Sequence, residues 1–264
     1  MSEVSVTPGA RAGAIVGYVD NIELYIGLAT DEELYEGKVW YDRAYSTACA
    51  ISAESGYPVP VIAACLAVTS SQCSWPENVL AVRKIVHLHT SGRSGERPSN
   101  QSGYPEGFKK AYAALAAYDS DEADQVTVCN GYAESRHTAG RMIQCKGGKV
   151  CGGATVHGPK HAPFFGSIML DPSEPTIDVH ATRVARCSPD EVIANSQSDF
   201  QREGIPGADR DDIATAYKIV ADRRGWDPVQ AQAVPWLVVQ RYWLKTSGAQ
   251  TSMRDPAIAE RAVA

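Results

Sequence analysis

The residues whose types and spacing could do chemistry lie between His157 and Val184. Gly158-Pro159-Lys160-His161-Ala162 opens the stretch, and Pro175-Thr176-Ile177-Asp178-Val179-His180-Ala181-Thr182-Arg183-Val184 closes it. Glycine and proline end one element and start another. Lys160, His161 and Ala162 are therefore expected to offer backbone N–H groups at a helix N-terminus, where a phosphate is readily held. Phe164, Phe165, Ile168, Met169 and Leu170 follow at roughly helical spacing as an apolar face. Asp171-Pro172 and Glu174-Pro175 make a short return, and Asp178 then sits between two β-branched residues at the mouth of another helix. Lys160 and Asp178 are the expected working pair: an amine that desolvation or a carboxylate can turn into a nucleophile, and a half-buried carboxylate that can serve as general base. Each also has a plainer role, Lys160 as a phosphate counter-ion and Asp178 as the N-cap of the helix beginning at Val179. The cap and the base are compatible, because capping fixes the carboxylate's orientation. His180 reads more readily as a packing and hydrogen-bonding residue than as a catalyst.

Upstream, Val61 to Val68 is apolar on nearly every side, as in a helix buried at the centre of a bundle. Ser70-Ser71-Gln72 interrupts it abruptly. These polar residues either cap the helix or fill the gap in a duplex from which a base has been extruded.

The Gly158-x-Lys160-x-Ala162 turn, the apolar helix and, 18 residues after the lysine, Asp178-x-His180-x-x-Arg183-Val184 together resemble the helix-hairpin-helix DNA glycosylase superfamily. Val61–Leu66 with Ser70, Ser71, Gln72, Trp75 and Asn78 is similar to the early helix and following loop of the same enzymes. The resemblance implies a mostly α, two-lobed helical bundle with a central groove. It implies Asp178 and Lys160 as catalytic residues, and Gly158, His161, Ala162, Arg183, Ser70, Ser71 and Gln72 as DNA contacts, with His180, Trp75 and Asn78 as further candidates. The usual Leu-Pro-Gly-x-Gly hairpin is replaced by Ala154-Thr155-Val156-His157-Gly158, and no four-cysteine iron–sulfur run is present. These departures and the Ile-Asp-Val-His-Ala-x-Arg wording look like the phage branch of α-glutamyl/putrescinyl-thymidine pyrophosphorylases, the amino acid:DNA transferases. That branch implies DNA and a free amino acid as partners and no cofactor. The alternatives are a bifunctional glycosylase that cuts the N-glycosidic bond, and a non-catalytic DNA-binding module.

At 264 residues and 44% hydrophobic content the chain can bury an adequate core. No run approaches the ~18 apolar residues of a membrane span, and no segment reads as a signal peptide. The expectation is a cytoplasmic protein, in the host cytoplasm if viral. Seven cysteines, an odd number, argue for reduced thiols. Cys145, Cys151, His157 and His161 could be drawn as a zinc site, but their spacing fits no common finger and would take His161 from the phosphate turn; no metal is expected. The net charge of −6 is unevenly spread. Residues 1–60 hold nine acidic and three basic side chains, whereas 131–170 hold five basic and one acidic. Either a basic stripe tracks a nucleic-acid backbone or these are solvated loop charges.

The elements that must position these residues are expected as follows. Residues 1–38 read as an N-terminal extension, with a short strand or hairpin within 14–28. Residues 39–245 form the catalytic domain, interrupted by a loop at 90–105 and an insert at 125–156, and 246–264 form a tail. Thr30-Asp31-Glu32-Glu33 is a capping-box-like helix start. Helices are expected over 39–55, 61–68, 76–88, 108–118, 211–223 and 228–243.

Overall fold

The computed structural model describes residues 8–71, 73–98, 105–119, 160–189 and 207–247. Gln72, Gly158, the insert at 125–156 and the tail from 248 onward lie outside the described residues, as do Cys145, Cys151 and His157. Among the described residues the fold is helical, with no strand. Its helices are α1 (Pro8–Gly27), α2 (Asp31–Ser55), α3 (Val59–Thr69), α4 (Trp75–Thr90), α5 (Pro105–Asp119), α6 (His161–Ile168), α7 (Val179–Arg186), α8 (Gly207–Arg224) and α9 (Pro228–Ser247). No described helix is by itself long and apolar enough to cross a membrane.

The described residues fall into two compact units, one drawn from Met1–Trp40 and Pro172–Gln250, the other from Tyr41–Asp171. The boundary passes through α2. That helix starts where expected: Thr30 N–H donates to Glu33 Oε2 at 3.0 Å while Glu33 N–H donates to Thr30 Oγ1 at 3.2 Å. It then runs unbroken to Ser55, where Gly56 adopts a φ of +79°.

In the first unit α1 packs against α7, α8 and α9. The strand expected within 14–28 is instead part of α1. Val19, Ile22, Tyr25 and Ile26 are buried while Leu24 is 48% exposed, so the inward positions recur at three and four residues and not at two. The core continues through Ile177, Ala181 and Val184, then Ile213, Tyr217 and Val220, then Ala231, Val234 and Val239.

In the second unit α3 is the central helix, packed against α4, α5 and α6. Every residue from Val61 to Thr69 is buried. Asn78 locks α4 to α3: its Nδ2 donates to Leu66 O at 2.8 Å and its Oδ1 accepts from Thr69 Oγ1 at 2.6 Å. The start of α4 is fixed by a capping box between Ser74 and Glu77. The apolar face of α6 buries Phe164, Phe165 and Ile168 but stops there. Leu170, expected on that face, is 47% exposed with a φ of +62°. It closes a Schellman turn in which Asp171 N–H reaches Gly166 O at 2.9 Å and Leu170 N–H reaches Ser167 O at 3.1 Å.

Candidate functional site

Within the second unit the two motifs singled out in the sequence meet. Ser70 caps the C-terminus of α3, and Lys160 stands at the N-cap of α6. Lys160 Nζ donates to Ser70 O at 3.3 Å, and Ser71 Oγ lies 3.2 Å from His161 Nε2. Lys160 and His161 are both half-buried, so the amine is partly withdrawn from water and aimed at the loop. Beside it Cys73 donates to Thr69 O at 3.2 Å, and burial pushes its thiol up to about 11 although the Lys160 charge pulls the other way. The thiol is therefore a structural group and not a nucleophile at neutral pH.

As a phosphate cradle the start of α6 is narrow. Pro163 has no N–H, and that of Phe164 is bonded to Lys160 O at 3.1 Å. The backbone donors to consider are those of His161 and Ala162 alone. Trp75 lies edge-on to Phe164, with ring centroids 6.4 Å apart, and belongs to the apolar support of this corner. Asn78 is 1% exposed and engaged with α3, so its role is to hold the Ser70–Ser71 turn in place and not to touch a ligand.

Asp178 lies in the first unit. It is the N-cap of α7, and its Oδ1 accepts from the N–H of His180 at 2.9 Å and of Ala181 at 2.8 Å. Among the described residues its Oδ2 accepts no hydrogen bond. Among the described residues the carboxylate is thus held through one oxygen, and the other can take a proton or a ligand.

One turn on, Arg183 departs from its expected place at a DNA backbone. It is 1% exposed, and its Nη1 donates to His180 Nδ1 at 3.2 Å. Burial lowers its pKa from the usual guanidinium value, and the Asp178 charge opposes that shift. A cation so enclosed acts through its neighbours. It holds the His180 ring and supplies positive potential at Asp178.

Tyr217 and Trp236, which helical spacing alone would place in packing faces, both border this corner. Tyr217 is fully buried and donates to Ala181 O at 3.0 Å. Burial raises its pKa well above the ordinary value, with Asp178 and Tyr25 adding to the effect. Trp236 meets the His180 ring edge-to-face at 6.4 Å and Trp40 at 5.9 Å. Burial with a polar tip is the signal that marks such residues, and it is not visible from helical spacing alone.

No group of three or more His, Cys, Asp or Glu that could hold a metal ion occurs among the described residues. Of the four residues that could be drawn as a zinc site only His161 is described, and it is engaged with Ser71.

No curated protein and no solved structure matches the chain. A model of a family of unknown function, DUF7178, matches residues 10–242, and the chain belongs to that family.

Proposed function

We propose that the protein is a DNA base hypermodification enzyme. It flips a thymine whose 5-methyl group carries pyrophosphate and replaces that group with an amino acid, glycine or glutamate. The amine nitrogen attacks the 5-methylene carbon, the carbon–oxygen bond to pyrophosphate breaks, and Asp178 takes the proton released by the amine. The Lys160–Ala162 turn holds the backbone, and the Ser70–Gln72 loop fills the space the base leaves.

The observation that carries this reading is the state of Asp178. One carboxylate oxygen is fixed by two backbone N–H groups, while the other accepts no hydrogen bond among the described residues. A general base has to be oriented and still have a lone pair available. The preference for pyrophosphate displacement over glycosidic cleavage rests on the resemblance of Ile177-Asp178-Val179-His180-Ala181-x-Arg183 to the phage branch.

The test is nucleoside mass spectrometry after incubation with duplex DNA containing thymine, 5-hydroxymethyluracil or its pyrophosphorylated form, together with a pool of amino acids. A nucleoside that has gained an amino acid, absent with Asp178→Asn, is the expected result. Free base or abasic sites would replace this reading with a glycosylase. DNA binding with neither product would leave a binding module.

A further inference from the structure

Past the other end of α3 lies a cluster that the proposed DNA chemistry does not use. Tyr57 precedes α3 and Ser70 follows it, so the helix's 11 residues separate the cluster from the Ser70–Lys160 and Ser71–His161 contacts by about 16 Å. The cluster joins the C-terminal ends of α4 and α5. His89 Nε2 bonds to Asp119 Oδ2 at 2.7 Å, and the Ser94 hydroxyl hydrogen-bonds to His89 Nδ1. Asp119 also accepts from Tyr57 O–H at 3.1 Å. The rings of Tyr57 and Tyr112 flank His89, with centroids at 6.2 and 6.3 Å. The imidazole is thereby enclosed, its side chain only 9% exposed, while Ser94 stands at the surface.

We propose that Ser94, His89 and Asp119 form a second reactive site, with Ser94 the nucleophile toward small acyl donors such as carboxylic esters.

The proton positions follow from the partners. An ionised carboxylate only accepts, so His89 carries its proton on Nε2 and leaves Nδ1 to accept from Ser94. This is the division of labour of a nucleophile, a base and an orienting acid, with the two ring nitrogens exchanged relative to the serine-protease arrangement; such sites are recognised by geometry and role. Tyr57 anchors Asp119 from a second direction, so the carboxylate does not swing away from the ring although its side chain is 50% exposed. Access comes from the turn itself. Gly95 follows Ser94 at a φ of +89° and Gly92 precedes it by two residues at +74°, and a Cβ on either would meet no atom within 4 Å beyond its own chain neighbours. A carbonyl group can therefore approach Ser94 over bare backbone.

In the reaction Ser94 Oγ attacks the ester carbonyl carbon and its proton passes to His89 Nδ1. The bond to the alcohol oxygen breaks, and the departing alkoxide takes that proton. Water then repeats the sequence on the acyl-serine, releasing the carboxylic acid and restoring the Ser94 hydroxyl.

The test uses the full chain and diisopropyl fluorophosphate. With this probe an Oγ–P bond forms, the P–F bond breaks, and fluoride leaves while the proton passes to His89. Adducts are located by peptide mass spectrometry over time. The expected result is modification at Ser94 well ahead of the exposed Ser46 and Ser91, slowed about 100-fold by His89→Gln and slowed also by Asp119→Asn. Ser94 reacting no faster than Ser46 and Ser91 overturns the proposal. So does an undiminished rate in either variant, and Asp119→Asn, at a half-exposed position, provides that comparison if His89→Gln fails to fold.

Discussion

Ser71 Oγ lies 3.2 Å from His161 Nε2, so the turn that ends α3 and the first residue of α6 share a hydrogen bond across 90 positions of sequence. The neighbouring residues repeat the contact, Lys160 Nζ reaching Ser70 O at 3.3 Å. A net hydrogen bond is worth about 0.5–1.5 kcal/mol. Ser71→Ala and His161→Ala are each expected to lower stability by about that amount. Because both remove the same bond, the double variant should lose less than the sum, with a coupling of about 0.5–1 kcal/mol in urea denaturation. A coupling of zero would mean that the two residues act independently in solution.

Asp178 carries two roles that substitution can separate. Asp178→Ala removes the cap of α7, at about 0.5–2 kcal/mol, and also removes a negative charge that acts on the buried Arg183. Asp178→Asn keeps the cap, because an asparagine oxygen accepts the same two N–H groups, but loses the charge. The expected order of melting temperature is wild type, Asp178→Asn, Asp178→Ala. Adding Arg183→Met to Asp178→Asn should recover part of the loss, since a buried cation deprived of the Asp178 charge costs more than no cation at all. A strictly additive double variant would show that the two side chains do not compensate each other.

Alkaline pH should unfold the second unit early. Burial raises Cys65 from 9.0 to about 12 and Cys73 from 9.0 to about 11, and burial with the Asp119 hydrogen bond raises Tyr57 from 10.0 to about 12. In each case the protonated group is favoured in the folded chain, so the folded state binds more protons and stability falls as pH rises. The contribution is whole below pH 9 and disappears between about 9 and 12. Cys65→Ala should flatten that fall, at the cost of whatever packing the sulfur provides. A denaturation midpoint equally pH-dependent in Cys65→Ala and wild type would rule out this thiol as a source.

The parts of the fold legible in the sequence are those decided within one turn of chain. The Thr30–Glu33 box, the unbroken apolar run of Val61–Val68 and the Asp178 cap each depend on residues close together in the chain. Helix α1 was illegible because Tyr18, Ile22, Leu24 and Ile26 imitate alternation, and only the exposure of Leu24 and the burial of Val19 and Tyr25 reveal the helical face. The Ser71–His161 contact, the Tyr217 hydroxyl on Ala181 and the Ser94–His89–Asp119 cluster join positions that local pattern does not relate. Arg183 marks the same limit: a motif gives its position, but the burial that turns it inward comes from the surrounding helices.

The same substitution, glycine to alanine, should have opposite signs at different positions. A Cβ on Gly37 would stand 2.7 Å from Val234 Cα and 2.8 Å from its nitrogen, and one on Gly107 would stand 2.4 Å from Val68 O and 3.2 Å from Thr69 Cα. These neighbours are backbone atoms that cannot rotate aside, so a helix must shift. Gly37→Ala and Gly107→Ala are each expected to cost about 1–3 kcal/mol. Hydrogen exchange should quicken in α2 and α9 for the first and in α3 and α5 for the second. Gly17, within α1, would meet nothing within 4 Å, so Gly17→Ala gives up only backbone freedom in the unfolded chain. It should stabilise by about 0.5–1 kcal/mol, the ordinary helical advantage of alanine. If Gly37→Ala or Gly107→Ala stabilised as Gly17→Ala does, the close approach at that glycine would be absent in solution.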